Sequence, residues 1–289
     1  MTNRLRIWLN ASGIGLLSPL AIVLLLAFIA PVLIMFPTSL HPYTPGVGIG
    51  EGWTLENYVE IFSDSYYHEV ILRSLGMAFS VMIFTIIIGC PLAYFLARMQ
   101  SRARNWLVLL VIFPLLLNLV VRSFGWIALL SKHGLINDVL LSIGMIDEPL
   151  KLIFNLTGLI IGMTHIFLPF MVLLVMGSIQ NIPVDLEEAA AVLGSNRTRV
   201  FFSIILPLSI PGLLSGSILV FILSISALVT PRLLGGPTYK VISTLIYDEF
   251  MQLLNWPAGS ALAFVLTLIV LVVIWATGRF SKRWMAHLT

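Results

Sequence analysis

Six runs of apolar residues, at about 14–37, 71–97, 106–130, 152–178, 206–229 and 259–279, constrain this chain more than any other feature. A helix needs roughly 20 apolar residues to cross the hydrocarbon core of a bilayer, and each run meets or approaches that length. Only 10% of the residues are charged and 59% are hydrophobic, against roughly 25% charge in an ordinary soluble domain. A soluble fold would leave large apolar patches facing water. The runs contain Pro91, Pro114, Pro169 and Pro211, which lipid-embedded helices tolerate where neighbours re-satisfy the freed carbonyls. The expected fold class is therefore an all-α integral membrane protein of about six transmembrane helices. The basic start MTNRLRIWLN leads into an apolar run longer than the 7–15 residues of a signal peptide, so the first helix is expected to be retained.

The charges orient these helices. With the N-terminus in the cytoplasm, Arg4, Arg6, Arg98, Arg102, Arg104, Arg197, Arg199, Arg279, Lys282 and Arg283 lie inside, 10 of the 16 basic residues. Glu51, Glu56, Glu60, Asp64, Glu69, Asp138, Asp147, Glu148, Asp248 and Glu249 lie outside, 10 of the 13 acids. The excess of Lys and Arg on cytoplasmic loops favours this topology over its inverse and places both termini inside. The net charge of +3 is not clustered on a polar domain, so no nucleic-acid partner is expected; the bilayer itself is the expected environment. A lone cysteine, Cys90, excludes an internal disulfide and any cysteine metal site.

The outer segments are 38–70, 131–151 and 231–258. GLINDVLLSIG (134–144) has helical apolar spacing and is expected to form a short surface helix. Trp53, Trp126 and Trp256 suit an interfacial belt. The domain reading is an N-terminal helix with its outer loop, 1–70, and a core transmembrane unit, 71–289. Gly158/Gly162 and Gly212/Gly216 have GxxxG spacing, which lets helix backbones approach closely. Packing within one subunit is the plain expectation; a subunit contact at Gly212/Gly216 is the sharper one.

The most informative stretch is the long inner loop 181–207, NIPVDLEEAAAVLGSNRTRVFFSIILP. Pro183 suits a first helical turn, and Asp185 and Glu187 are favourable near its positive end. Leu186, Ala190 and Leu193 form an apolar stripe. Gly194 supplies a left-handed stop, Ser195 is expected to cap the next short helix, and Pro207 to open the fifth span. Two uses remain open on these residues alone: a helix that docks into a protein partner, or one lying along the membrane surface.

Glu188-Ala189-Ala190, Gly194, Ile204, Leu206 and Pro207 match in identity and spacing the EAA loop of bacterial ABC importer permeases, which the chain therefore resembles. GCPLAYFLAR (89–98), VVRSFGWIALL (120–130), LPFMVLL (168–174), TPRLLGGPTY (230–239) and LNWPAGSALAFVL (254–266) extend the likeness to the spermidine/putrescine-type branch. The resemblance implies the type I importer permease fold and a multi-pass place in the bacterial inner membrane. It also implies three kinds of protein partner: ATP-binding cassette ATPase subunits, a second permease (identical or homologous) and a periplasmic solute-binding protein. In such permeases the loop is the coupling helix, so Glu188 would contact the ATPase and Gly194 would set the turn.

No GxxxxGK[ST] phosphate loop, metalloprotease motif or nucleophile elbow occurs. The chain is not expected to be an enzyme or to hold a cofactor; ATP and magnesium would be used by the partner ATPase. Ionisable residues inside spans are costly and mark candidate sites. Arg122 and His165 are the clearest, Arg122 read first as a snorkelling or paired side chain and His165 as a packed, hydrogen-bonded one. Asn118, Ser123, Thr164 and Ser224 could line a polar path, and Asp248 could serve at its outer mouth. No carboxylate falls deep in a span, which sits uneasily with a polyamine. The first cargo is still a polyamine-like solute, with an amino-acid-like compound or organic anion as the alternative. An ion-coupled secondary transporter is the competing class, and it would show matched broken halves.

Overall fold

A computed structural model describes the backbone of residues 2–285 and the side chains of 18–27 and 29–279. The side chains of Arg4, Arg6, Lys282 and Arg283, used above for orientation, lie outside those described. The elements are α1 (Thr2–Ser39), a short hairpin of β1 (Tyr43–Thr44) and β2 (Gly48–Ile49), α2 (Glu56–Ser63), α3 (Ser65–Arg98), α4 (Ala103–Leu116), α5 (Leu119–Leu130), α6 (Leu135–Ser142) and α7 (Leu156–Gln180). Then come α8 (Asp185–Val192), α9 (Arg197–Val200), a π-helical turn (Phe201–Ile205), α10 (Leu206–Leu208), α11 (Ile210–Ser226), a second π turn (Pro231–Gly235), α12 (Ile242–Met251) and α13 (Trp256–Met285). Among the described residues, five stretches are long and apolar enough to span a membrane: 18–39, 65–98, 119–142, 156–180 and 256–279. A sixth span exists if the bent pair 197–208 and 210–226 is counted as one.

The chain divides into two compact units, residues up to 64 with 248–265, and 65–247 with residues from 266 onward. In the first, Asn57 Nδ2 donates to the carbonyls of Ser39 and His41, both at 2.9 Å. Phe36 meets Phe264 edge-on at 5.4 Å. Leu20, Leu24, Leu26 and Leu33 of α1 are each at least half exposed, a state that lipid accommodates and water does not.

The second unit is organised around α7, which is apolar on every face and correspondingly buried. Leu159, Met163, Met171, Val172 and Val175 are fully enclosed, packed against Met77, Val81, Ala93 and Leu96 of α3 and Val220 of α11. Small residues set the approach. A Cβ on Gly212 would lie 2.4 Å from Ser178 Cβ and 2.8 Å from the Leu174 carbonyl oxygen. One on Gly216 would lie 2.8 Å from Met171 Sδ, and one on Gly89 2.9 Å from Met171 Cγ. Gly212 and Gly216 are thus spent on packing within the chain, against α7, and the subunit-contact expectation for them is corrected: that backbone face is already covered.

Two expected spans are broken. The stretch 106–130 is two helices, α4 and α5, parted at Leu117 and Asn118. Leu117 is extended (φ −81°, ψ 143°), and Asn118 caps α5 by accepting from the Val120 amide at 2.8 Å. The stretch 206–229 bends by 71° at Ser209 and its helix ends at Ser226. Pro211 in the first turn of α11 explains the bend's place, since proline cannot donate to the preceding turn. Ser209 Oγ donates to the Leu206 carbonyl at 3.0 Å, a side-chain bond back onto the turn before the bend. The short helix expected from GLINDVLLSIG is α6, pinned by buried Asn137, whose side chain bonds Leu150 through both its amide nitrogen and its oxygen.

Gly212→Val should lower the thermal midpoint and the yield of folded protein, with a cost of about 2 kcal/mol or more from overpacking against α7. Gly177→Ala, where a Cβ meets nothing within 4 Å, should leave both unchanged in the same detergent-melting assay.

Candidate functional site

The loop singled out by the sequence folds as a helix–turn–helix. α8 ends where Gly194 takes φ +79°, a left-handed conformation that favours glycine. The Ser195 amide then bonds the Ala190 carbonyl at 3.0 Å. Asn196, not Ser195, caps α9: it is extended, and its Oδ1 accepts from the Arg199 amide at 2.8 Å. The cap requires a side chain three residues before the bonded amide, and the turn at Gly194 delivers Asn196 there.

Within this loop the motif residues divide by face. Ala190 is buried, and Ile204 packs against the central core. Leu206 and Pro207 are half-buried, with Pro207 inside α10 and the long helix opening only at Ile210. Glu188 and Ala189 are exposed. The expected stripe of Leu186, Ala190 and Leu193 is split: Ala190 faces the protein, while Leu193 and its neighbour Val192 are 86% and 87% exposed. An exposed acid therefore stands on a short helix that ends in two bare aliphatic side chains.

Glu187, read from the sequence only as an acid at the positive end of this helix, holds it to the body. Glu187 Oε1 accepts from Arg98 Nε at 2.5 Å, and its Oε2 accepts from Tyr94 OH at 2.7 Å. Arg98 Nη2 also donates to the Ile182 carbonyl at 3.0 Å. The two charged side chains are only 17% and 15% exposed, so the pair is shielded and its geometry two-sided. One end of α3 is thus tied to α8 and to the turn before it. The signal in the sequence was two adjacent acids, which a turn of about 100° per residue directs to different faces of the helix. The partner of Glu187, 89 residues away, was not legible. A cavity of about 550 Å³ borders this clamp, between Tyr94, Arg98, Glu187, Glu188 and Arg197.

The polar candidates within the spans are only partly gathered. Trp126 Nε1 donates to His165 Nδ1 at 3.2 Å; an indole only donates, so Nδ1 is the acceptor. Trp126 is thereby engaged with α7 rather than simply anchoring at the interface. Trp126, Thr164 and His165 line one mostly apolar cavity of about 490 Å³ with Phe84, Ile88 and Ile161. Arg122 Nε and Nη1 are shielded and find no hydrogen-bond partner among the described residues, so the pairing expected for Arg122 is not made there. Ser123 and Thr230 hydroxyls meet at 3.2 Å. Asn118 is exposed and serves as the α5 cap, and Ser224 is fully buried on α11. Asp248 lies on α12 and is only 8% exposed, beside Glu249 at 6%. It is enclosed by protein rather than set at an open mouth.

Glu187→Ala should release α8 from α3, raising amide exchange across 183–194 and leaving exchange in α7 unchanged. The expected stability loss is about 1–3 kcal/mol, because a shielded guanidinium is left without its partner.

Residues 86–285 match the family described as "Binding-protein-dependent transport system inner membrane component". The chain is 35% identical over 234 residues to the "Spermidine/putrescine transport system permease protein PotB" of Escherichia coli, covering 80% of this chain and 85% of that one. It is 32% identical over 229 residues to the protein of the same name from Haemophilus influenzae, covering 79% and 80%. A more distant relative is the "Molybdenum transport system permease protein ModB" of Mycobacterium bovis, 28% identical over 209 residues, 72% of this chain and 77% of that one. In three dimensions it resembles a chain of a bacterial alginate ABC transporter crystallised with its oligosaccharide-bound periplasmic protein. That likeness has a TM-score of 0.78 at 20% identity, covering 96% and 98% of the two chains. With its helical architecture and its family match over most of its length, this chain belongs to the inner membrane components of binding-protein-dependent transport systems, the permease subunits of ABC importers.

Proposed function

We propose that this permease forms one half of a translocation path for a polyamine-like solute, and that α8 and the Gly194 turn receive the stroke of a separate ATPase subunit. The observation that carries the coupling role is the bare surface of α8: exposed Glu188 beside Val192 and Leu193, on a helix whose other face is clamped to α3 through Glu187. Two exposed aliphatic side chains suit a protein groove better than water, and the acid supplies a directional contact. Because Arg98 and Tyr94 tie α8 to α3, force on α8 would pass into the packed bundle rather than dissipate in a loop. ATP and magnesium would be held by the ATPase. A periplasmic binding protein would deliver the solute, and a second permease would close the path. Both termini would then lie in the cytoplasm, with residues 1–70 as an N-terminal helix and outer loop and 71–289 as the core unit.

The polyamine cargo is supported by the similar Escherichia coli and Haemophilus influenzae proteins, whose names specify spermidine and putrescine. Asp248 and Glu249 are the buried carboxylates among the described residues, the chemistry an ammonium group needs. The second reading, an anionic or amino-acid-like cargo, is favoured by Arg122, whose shielded nitrogens lack a partner among the described residues.

In the reconstituted transporter, Glu188→Lys should leave the permease inserted but reduce uptake by tenfold or more. ATPase association that survives deletion of 184–196 would overturn the coupling role. For cargo, labelled spermidine uptake should be saturable, and Asp248→Asn should raise its KM severalfold. Uptake blocked by a dicarboxylate and not by spermidine, and lost in Arg122→Gln, would establish the second reading instead.

A further inference from the structure

A cavity of about 630 Å³ lies at the junction of α3 and α4, beside the start of α8, and is bounded by Arg98, Arg102, Arg104, Gln100, Asn105 and Glu187. It holds three guanidiniums and one carboxylate, and that carboxylate is already taken up by Arg98 and Tyr94. Arg102 and Arg104 make no ion pair among the described residues. α4 carries no acid in its first turn to offset them. The Ala103 and Arg104 amides are turned onto Ser101 Oγ and Ser101 O, at 3.2 and 3.0 Å. The attraction of the cavity for an anion is therefore that of its side chains, not of the helix end.

What lies next to the cavity identifies the anion. Trp106, Leu109, Leu110 and Phe113 follow Arg104 along α4 and are 74%, 51%, 68% and 54% exposed. Their spacing of i, i+3, i+4 and i+7 puts them on one face of the helix. Along α4, the cationic lining that ends at Asn105 is followed directly by an apolar stripe that begins with tryptophan, the residue that favours the bilayer interface. A soluble anion would use the first and leave the second bare.

We infer that this cavity and stripe bind an anionic phospholipid, the headgroup phosphate held by Arg102 and Arg104 and an acyl chain laid along Trp106, Leu109, Leu110 and Phe113. Basic clusters at the membrane surface are a recurrent recognition chemistry for anionic lipid. The charge pattern of the chain assigns this end of α3 and α4 to the cytoplasmic leaflet. The site shares Arg98 and Glu187 with the clamp on α8, so a bound headgroup stabilises the guanidinium side of that clamp.

The test uses the assembled transporter, delipidated in detergent and titrated with phosphatidylglycerol or phosphatidylcholine, with bound lipid read by native mass spectrometry. Wild type should retain phosphatidylglycerol in preference. Arg102→Gln/Arg104→Gln should bind it about tenfold or more weakly, as expected for two cations removed at a membrane surface, with phosphatidylcholine unaffected. Trp106→Ala, which leaves every charge in place, should weaken both lipids alike, and Arg199→Gln, on α9 outside the cavity, should weaken neither. Equal phosphatidylglycerol binding by wild type and the double arginine variant would overturn the site. Displacement of the lipid by millimolar inorganic phosphate would overturn its assignment to a lipid.

Discussion

The close approach of α3 and α11 to α7 is the interaction on which the larger unit depends. In a bilayer there is little hydrophobic gain in bringing one apolar helix against another, because lipid tails are as apolar as leucine. Association then rests on packing at short range. Gly89, Gly212 and Gly216 provide that range by letting Met171, Leu174 and Ser178 sit almost against backbone. Most of α7 is accordingly buried or half-buried, and its sequence is apolar on all sides.

With α7 fixed, backbone that leaves the regular helix must find partners inside the protein, since hydrocarbon supplies none. The breaks at Asn118 and Ser209 are each satisfied locally, by a side-chain cap and by a hydroxyl bonded to the preceding turn. The loop carrying α8 enters from the end of α7 and leaves through the bend into α11, the two helices packed together by glycine. Arg98, at the end of α3, completes the connection through Glu187. The exposed tip of α8 is thus tied to α3 by hydrogen bonds and joined to α7 and α11 through the chain itself.

Much of this was legible because it is local. The apolar runs, the left-handed Gly194 and the short helix α6 each depend on a few neighbouring residues. The broken third span was not, although Pro114 was visible: a proline three residues before the break permits either a kink or an end, and Asn118 chose the end by capping α5. Ser195 was expected to cap α9, and the turn at Gly194 instead brings Asn196 to that position. Asp248 was placed at an outer mouth by its position between spans, yet α12 is folded in with Val241, Ile242 and Leu245 nearly fully buried, and a ten-residue helix carries no length signal for that.

By itself the sequence determined that this chain lives in a membrane and that residues 188–207 carry the coupling-loop pattern of an importer permease. Those properties follow from transfer energies and from fixed spacings along one segment. The tertiary structure alone decided that Gly212 and Gly216 are used within the chain, that Glu187 rather than Glu188 faces inward, and that Arg98, Arg102 and Arg104 meet Glu187 at one cavity. Each of these joins residues far apart in sequence, and no periodicity records which distant side chain will arrive on the other side of a contact.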